Sequence, residues 1–158
     1  MIETITDKKL LDDELDISIV YRPCQIDTNI EFYDEPISIK KDTDLFEILS
    51  KMCKNITYSE SFYLVTLDHR LRILGIYELF KGGLSECVVD LRILMRVVLA
   101  SGCSRIVIAH NHPSGHLAFS NEDIELTEKV KKCCETIGVL LLDHIIFTKD
   151  KFITYDRK

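Results

Sequence analysis

Apolar residues along this chain follow two periods, one of a strand and one of a helix, and their order predicts most of its elements. Residues 62–67 form a continuous apolar run and residues 72–77 a second one, with the polar Asp68, His69 and Arg70 between them. That pattern predicts a hairpin whose first strand is buried on both faces. Ahead of it, Leu45, Leu49 and Met52 recur at helical spacing behind Asp42, Thr43 and Asp44, any of which can cap a helix ending near Asn55. From about Asp90, the stripe Leu91, Leu94 and Val98 predicts a helix that stops at Gly102, and residues 104–110 continue the chain as a buried strand. Residues 121–137 read as a further helix, with Ile124, Leu126, Val130 and Cys134 on or near one face and Gly138 as its stop. Residues 139–147 and 152–155 then make a closing hairpin around Lys149, Asp150 and Lys151. Helices alternating with buried strands define an α/β class with a central mixed β-sheet flanked by helices.

The first part of the chain reads differently. Residues 1–16 hold Glu3, Asp7, Asp12, Asp13, Glu14 and Asp16 against Lys8 and Lys9, the composition of a solvated arm. Ile17, Ile19 and Tyr21 alternate as in a strand, and Pro23 and Pro36 interrupt the stretch after it. The expected organisation is therefore an N-terminal extension over 1–38, partly acidic, and one folded domain over 39–158. Gly82 and Gly83 punctuate that domain after its first hairpin.

Composition narrows the class. The 158 residues are 46% hydrophobic and 29% charged, enough for one core without covalent staples. No apolar run approaches the roughly 18 residues of a spanning helix, so membrane insertion is not expected. The opening Met-Ile-Glu-Thr-Ile-Thr-Asp lacks a basic start followed by an apolar stretch, which makes the expected location cytoplasmic. Six cysteines, Cys24, Cys53, Cys87, Cys103, Cys133 and Cys134, include no C-x-x-C pair and read as reduced thiols, those at 53, 87 and 103 as small core residues. A redox or metal role for the vicinal pair Cys133-Cys134 is the minor alternative. A net charge of −6 and the acidic arm argue against broad phosphate binding, and no basic stripe with interleaved aromatics offsets them.

The candidate chemistry lies in residues 109–123, Ala-His-Asn-His-Pro-Ser-Gly-His-Leu-Ala-Phe-Ser-Asn-Glu-Asp. His110 and His112 stand two apart at the end of a strand, so alternation puts both imidazoles on one face, able to converge on one ion. Neutral imidazoles are good zinc ligands, and a third ligand, a carboxylate or another imidazole, would leave the fourth position of a catalytic zinc for water. Asp123 is the best candidate, in the first turn of the next helix and three residues after Ser120. Read singly, these residues have ordinary roles: Ser120 is a helix N-cap, Asp123 a helix-start carboxylate, and Pro113-Ser114-Gly115 a turn. Their combination is far more specific. Asp143 and His144, inside an apolar strand, need hydrogen-bond partners and read equally as support for a ligand histidine or as a structural pair. His116 reads as a solvated loop residue or an extra contact at the site, and His69 as exposed in its turn. No H-E-x-x-H, zinc-deaminase, phosphate-loop or G-x-S-x-G pattern is present.

The spacing H-x-H-x7-S-x2-D resembles that of the JAMM metallopeptidases, and the wording His-Asn-His-Pro-Ser-Gly resembles the RadC family of JAMM-like proteins. Further segments resemble that family in order: Glu60 with residues 62–68, then Leu79-Phe80-Lys81-Gly82, then Leu142-Asp143-His144-Ile145-Ile146. The resemblance covers roughly residues 40–158 and implies a JAMM/deaminase-like architecture and a zinc ion. It departs at the helix near Asp90, which lacks a His-Pro-Arg-Glu opening. His116 and Phe119 also stand where the family usually has an acidic residue and a proline. The family's usual helix-hairpin-helix-type region has no room in the roughly forty preceding residues. In JAMM enzymes a glutamate from an earlier strand is the base that activates water, and the matching position here is Glu60; a hydroxyl donor that stabilises the developing oxyanion matches Ser120. The resemblance thus implies a zinc-dependent hydrolase acting on an amide or isopeptide bond of a peptide or protein. The alternative it carries is a DNA-repair or DNA-processing role, in which the fold serves nucleic-acid or partner binding. An inactive scaffold that keeps zinc for stability is a third reading, disfavoured by the complete residue set.

Overall fold

The computed structural model describes residues 37–53, 56–82 and 88–155. The arm over 1–16, the expected strand over 17–21, and Cys24, Asn55, Gly83 and Cys87 lie outside the described residues. Among the described residues three helices and five strands run in the order α1 (Asp42–Met52), β1 (Ser61–Leu67), β2 (Ile73–Lys81), α2 (Leu91–Ser101), β3 (Arg105–Asn111), α3 (Asn121–Thr136), β4 (Leu140–Phe147) and β5 (Phe152–Thr154). The strands form one mixed sheet in the order β2-β1-β3-β4-β5. Only the β3–β4 pair is parallel, with α3 as its crossover, and the other neighbours are antiparallel.

Alternation along the central strands divides the core in two. Tyr63, Val65, Leu67, Val107, Ala109, Ile145 and Phe147 pack with Leu45 and Leu49 of α1 on one face. Phe62, Leu64, Ile106 and Ile108 pack with Leu94 and Val98 of α2 and with Val130 and Cys134 of α3 on the other. This is why β1 is apolar at nearly every position and buried along its whole length. Each fully buried Leu, Ile or Phe contributes roughly 1.5–3 kcal/mol of transfer free energy, so both layers are needed to hold the sheet between them.

Local details correct several expectations. The N-cap of α1 is Lys41, and Asp44 reaches back from inside the first turn to accept the backbone N–H groups of Lys40 and Lys41 at 2.9 and 3.0 Å. The helix stops at Met52, short of Asn55. The first hairpin turns on Asp68, whose carboxylate accepts the N–H groups of Arg70 and Arg72, and β2 continues to Lys81. On α3 the buried stripe is Thr127, Val130 and Cys134, while Ile124 is 39% exposed. A threonine therefore occupies a core position that hydropathy assigned to isoleucine. Residues 37–39 lie beside the start of β2, with Ile39 N–H donating to Leu71 C=O and Ile73 N–H to Ile37 C=O. Cys53, Cys103 and Cys134 are buried thiols outside any disulfide, and burial raises the Cys134 thiol to about 11.

Candidate metal centre

The two histidines leave β3 at its C-terminal end, on the α2/α3 face of the sheet, because His110 continues the alternation of Ile106 and Ile108. The parallel β3-α3-β4 crossover brings the N-terminus of α3 to the same end, the usual place for a site in an α/β sheet. His110 Nε2 lies 3.0 Å from His112 Nε2 and 3.3 Å from Asp123 Oδ1. The donor atoms of all three residues lie within 4.8 Å of one another. Tetrahedral bonds of about 2.0–2.1 Å set donor atoms roughly 3.3 Å apart, which the two distances from His110 Nε2 match.

Hydrogen bonds fix how these residues present themselves. His112 Nδ1 lies 2.7 Å from the His116 carbonyl, which can only accept, so Nδ1 carries a proton and Nε2 is the nitrogen that the neutral ring offers as a ligand. Gly115, with φ +77°, lets the turn bring that carbonyl round. Ser120 caps α3: its hydroxyl accepts from Asp123 N–H at 3.1 Å and donates to Asp123 Oδ2 at 2.6 Å, and its own N–H donates to Oδ2 at 2.8 Å. One carboxylate oxygen of Asp123 thus closes the capping box while the other faces His110. Burial pushes the His110 imidazole down to about 4, against the pull of the Asp123 carboxylate and with a smaller push from His112. The His112 nitrogen and the Asp123 carboxylate oxygen face His110 Nε2 as electron-pair donors, and what joins them is either a proton on that nitrogen or a cation among all three.

Glu60 lies outside this group of converging donors. It immediately precedes β1, where Phe62 is the register partner of His110. Strand alternation carried one residue beyond β1 would put Glu60 on the His110 face. The register is held by Asn111, a fully buried residue: its Oδ1 accepts Ser61 N–H at 2.8 Å, and its Nδ2 donates to the carbonyls of Ile56 and Ser59 at 3.1 and 2.9 Å. Sequence reasoning passed over Asn111 as the spacer of H-x-H; its position opposite a strand entry fifty residues earlier is visible only in the fold. The His116 side chain is exposed and contributes its carbonyl alone, and His69 is exposed in its turn.

Asp143 and His144 separate. Asp143 accepts the backbone N–H groups of His144 and Tyr155 at 2.7 and 3.1 Å, a structural role. His144 is fully buried, with Nε2 2.9 Å from His110 Nδ1 and Nδ1 2.7 Å from the Thr127 hydroxyl. Phe62 and Phe119 pack against its ring at 6.2 and 5.2 Å, so Phe119 is part of the apolar wall of the site. An open cleft of about 300 Å³ lies beside His112, lined by Ile56, Thr57, Pro113, Gly115 and the turn from Thr148 to Lys151.

An α/β domain with two histidines and one aspartate gathered where a parallel strand meets the next helix belongs to the class of candidate metal-dependent proteins. The family model described as RadC-like JAB domain matches residues 39–158, and the chain belongs to that family. It is 30% identical over 125 residues to a UPF0758 protein of Flavobacterium johnsoniae, covering 77% of this chain and 54% of the relative. A UPF0758 protein of Clostridium perfringens is 32% identical over 122 residues, covering 77% and 53%. One from Psychrobacter sp. is 41% identical over 96 residues, covering 61% and 42%. The chain spans about half the length of the curated relatives it matches. Among the described residues no helix is long and apolar enough to cross a membrane.

Proposed function

We infer that this chain is a zinc-dependent hydrolase of the metallopeptidase or isopeptidase type, with His110, His112 and Asp123 as ligands. The observation that carries this is the approach of two imidazole nitrogens and a carboxylate oxygen at 3.0 and 3.3 Å in a family whose model is a JAB domain. A bound zinc ion would supply Lewis-acid activation of water near neutral pH. Glu60 takes the proton of the attacking water and returns it to the nitrogen that leaves as the carbonyl carbon–nitrogen bond breaks. Ser120 supplies a hydroxyl near the developing oxyanion, and exchanges its bond to Asp123 for that contact. The cleft beside His112 gives an extended peptide room to approach. Site and charge favour this reading over DNA processing, since a net charge of −6 suits phosphate recognition poorly.

The test combines a zinc titration of the metal-free chain with a panel of fluorogenic amide and isopeptide substrates. About one zinc per chain and hydrolysis in the wild type are expected, with His110→Ala and Asp123→Asn lowering zinc affinity. Glu60→Gln should keep the zinc and lose on the order of 10²–10⁴ in rate. A chain that binds no transition metal, or binds DNA with a steep salt dependence and cleaves no amide, overturns the reading.

A further inference from the structure

His144 takes no part in the donor group, yet it is a polar residue with no exposed surface and both of its ring nitrogens engaged. We propose that Thr127 and His144 are positioning residues, a hydrogen-bond relay that locks His110 in the Nδ1–H tautomer and so keeps its Nε2 bare. The proposal rests on reading His110 as a metal ligand, and its chemistry can be followed proton by proton.

The relay starts at a group with no choice. Thr127 Oγ1 lies 2.6 Å from the backbone carbonyl of Asp123, and a carbonyl can only accept, so the single hydroxyl proton of Thr127 points there. The same oxygen lies 2.7 Å from His144 Nδ1 and therefore accepts from it, which makes His144 the Nδ1–H tautomer with a bare Nε2. That nitrogen lies 2.9 Å from His110 Nδ1, so the proton between them belongs to His110 Nδ1. His110 Nε2 is then left as a lone pair aimed at His112 and Asp123. Reversing the direction would set two oxygens 2.6 Å apart with no hydrogen between them, a closer clash than the 3.0 Å approach of the two Nε2 atoms that it would relieve.

The relay also closes a ring. Asp123 contributes its backbone carbonyl at one end, through Thr127 and His144, and its carboxylate at the other, against His110. Thr127 is four residues after Asp123, one helical turn, so α3 holds both ends on one rigid segment. The two aromatic rings against His144 exclude water that would offer it another partner. Outer-shell partners of this kind orient a ligand imidazole and raise its basicity.

The experiment uses the full chain, first without metal. Long-range proton–nitrogen correlation spectra of the histidine rings should show His110 and His144 both protonated at Nδ1 and bare at Nε2. Thr127→Val, which keeps the shape and removes the hydroxyl, should shift His110 toward the Nε2–H form and weaken zinc and cobalt(II) binding about 10–100-fold. Thr127→Ser should restore both. A wild-type His110 protonated at Nε2, or a folded Thr127→Val with unchanged tautomer and affinity, overturns the proposal. The wild-type spectrum decides the matter even if Thr127→Val does not fold. Since it is recorded without metal, failure of the wild type to bind zinc would overturn the metal-site reading while the tautomer still decides the relay.

Discussion

Asn111 makes three hydrogen bonds with its side chain, all to backbone groups of residues 56–61, the one to Ser61 buried and the two to Ile56 and Ser59 partly so. Asn111→Leu would strand a buried N–H and two carbonyls, at a cost of roughly 2–4 kcal/mol. Urea unfolding should show that loss. Zinc affinity should change little, because His110, His112 and Asp123 lie outside the clamped segment, whereas hydrolysis should fall with the displaced Glu60; unchanged stability would refute the clamp. The neighbouring His110 gives a pH dependence. Its folded pKa is about 4 against about 6.5 unfolded, so below 6.5 the unfolded chain takes up a proton that the metal-free folded chain refuses. Stability is therefore complete above about pH 6.5 and falls as pH drops toward 4, by on the order of 3 kcal/mol from this group. His144, lowered in the same direction by the same burial, extends the loss. Urea midpoints of the metal-free chain between about pH 7.5 and 4.5 measure it, and a flat profile would mean that these imidazoles are solvated.

At the scale of elements, the N-terminus of α3 does two tasks with one pair of side chains. Ser120→Ala removes the cap and should cost about 1 kcal/mol of stability. It also releases Asp123 Oδ2 from its hydroxyl partner, so zinc affinity should fall with stability. Affinity held at the wild-type value would show that the capping box does not orient the ligand. This element was legible in the sequence: Ser120 and Asp123 form a local pattern three residues apart, and helix and cap derive from it. The facing of β4 was not legible. Leu141 and His144 both lie on the α2/α3 face although three residues apart, because the β3–β4 register shifts between Ile106 and Val107, where Leu142 is the extra residue. Strict alternation from Leu141 would turn His144 toward α1. A bulge is set by how two strands pair, and one strand's own sequence does not specify its partner's register.

For the whole molecule, a ligand held by β3 and α3 together binds the folded chain and not the unfolded one. Zinc at about 100 times its dissociation constant should stabilise the wild type by about 2.7 kcal/mol, raising the thermal midpoint in a manner reversed by chelator. Glu60→Gln should keep that shift and Asp123→Asn should lose most of it; a zinc-independent midpoint would refute the site. By itself the sequence determined the order of helices and strands, the two-faced burial of β1 and β3, and the group His110, His112, Ser120 and Asp123. These depend on periodicity and caps, which act over a few neighbouring residues. The tertiary structure alone decided which residues stand behind that group: Asn111 clamping residues 56–61, Thr127 and His144 reaching His110, and Phe119 closing over them. Those partners lie 17 to 55 residues apart along the chain, and only strand pairing and helix packing bring their polar atoms within hydrogen-bond distance.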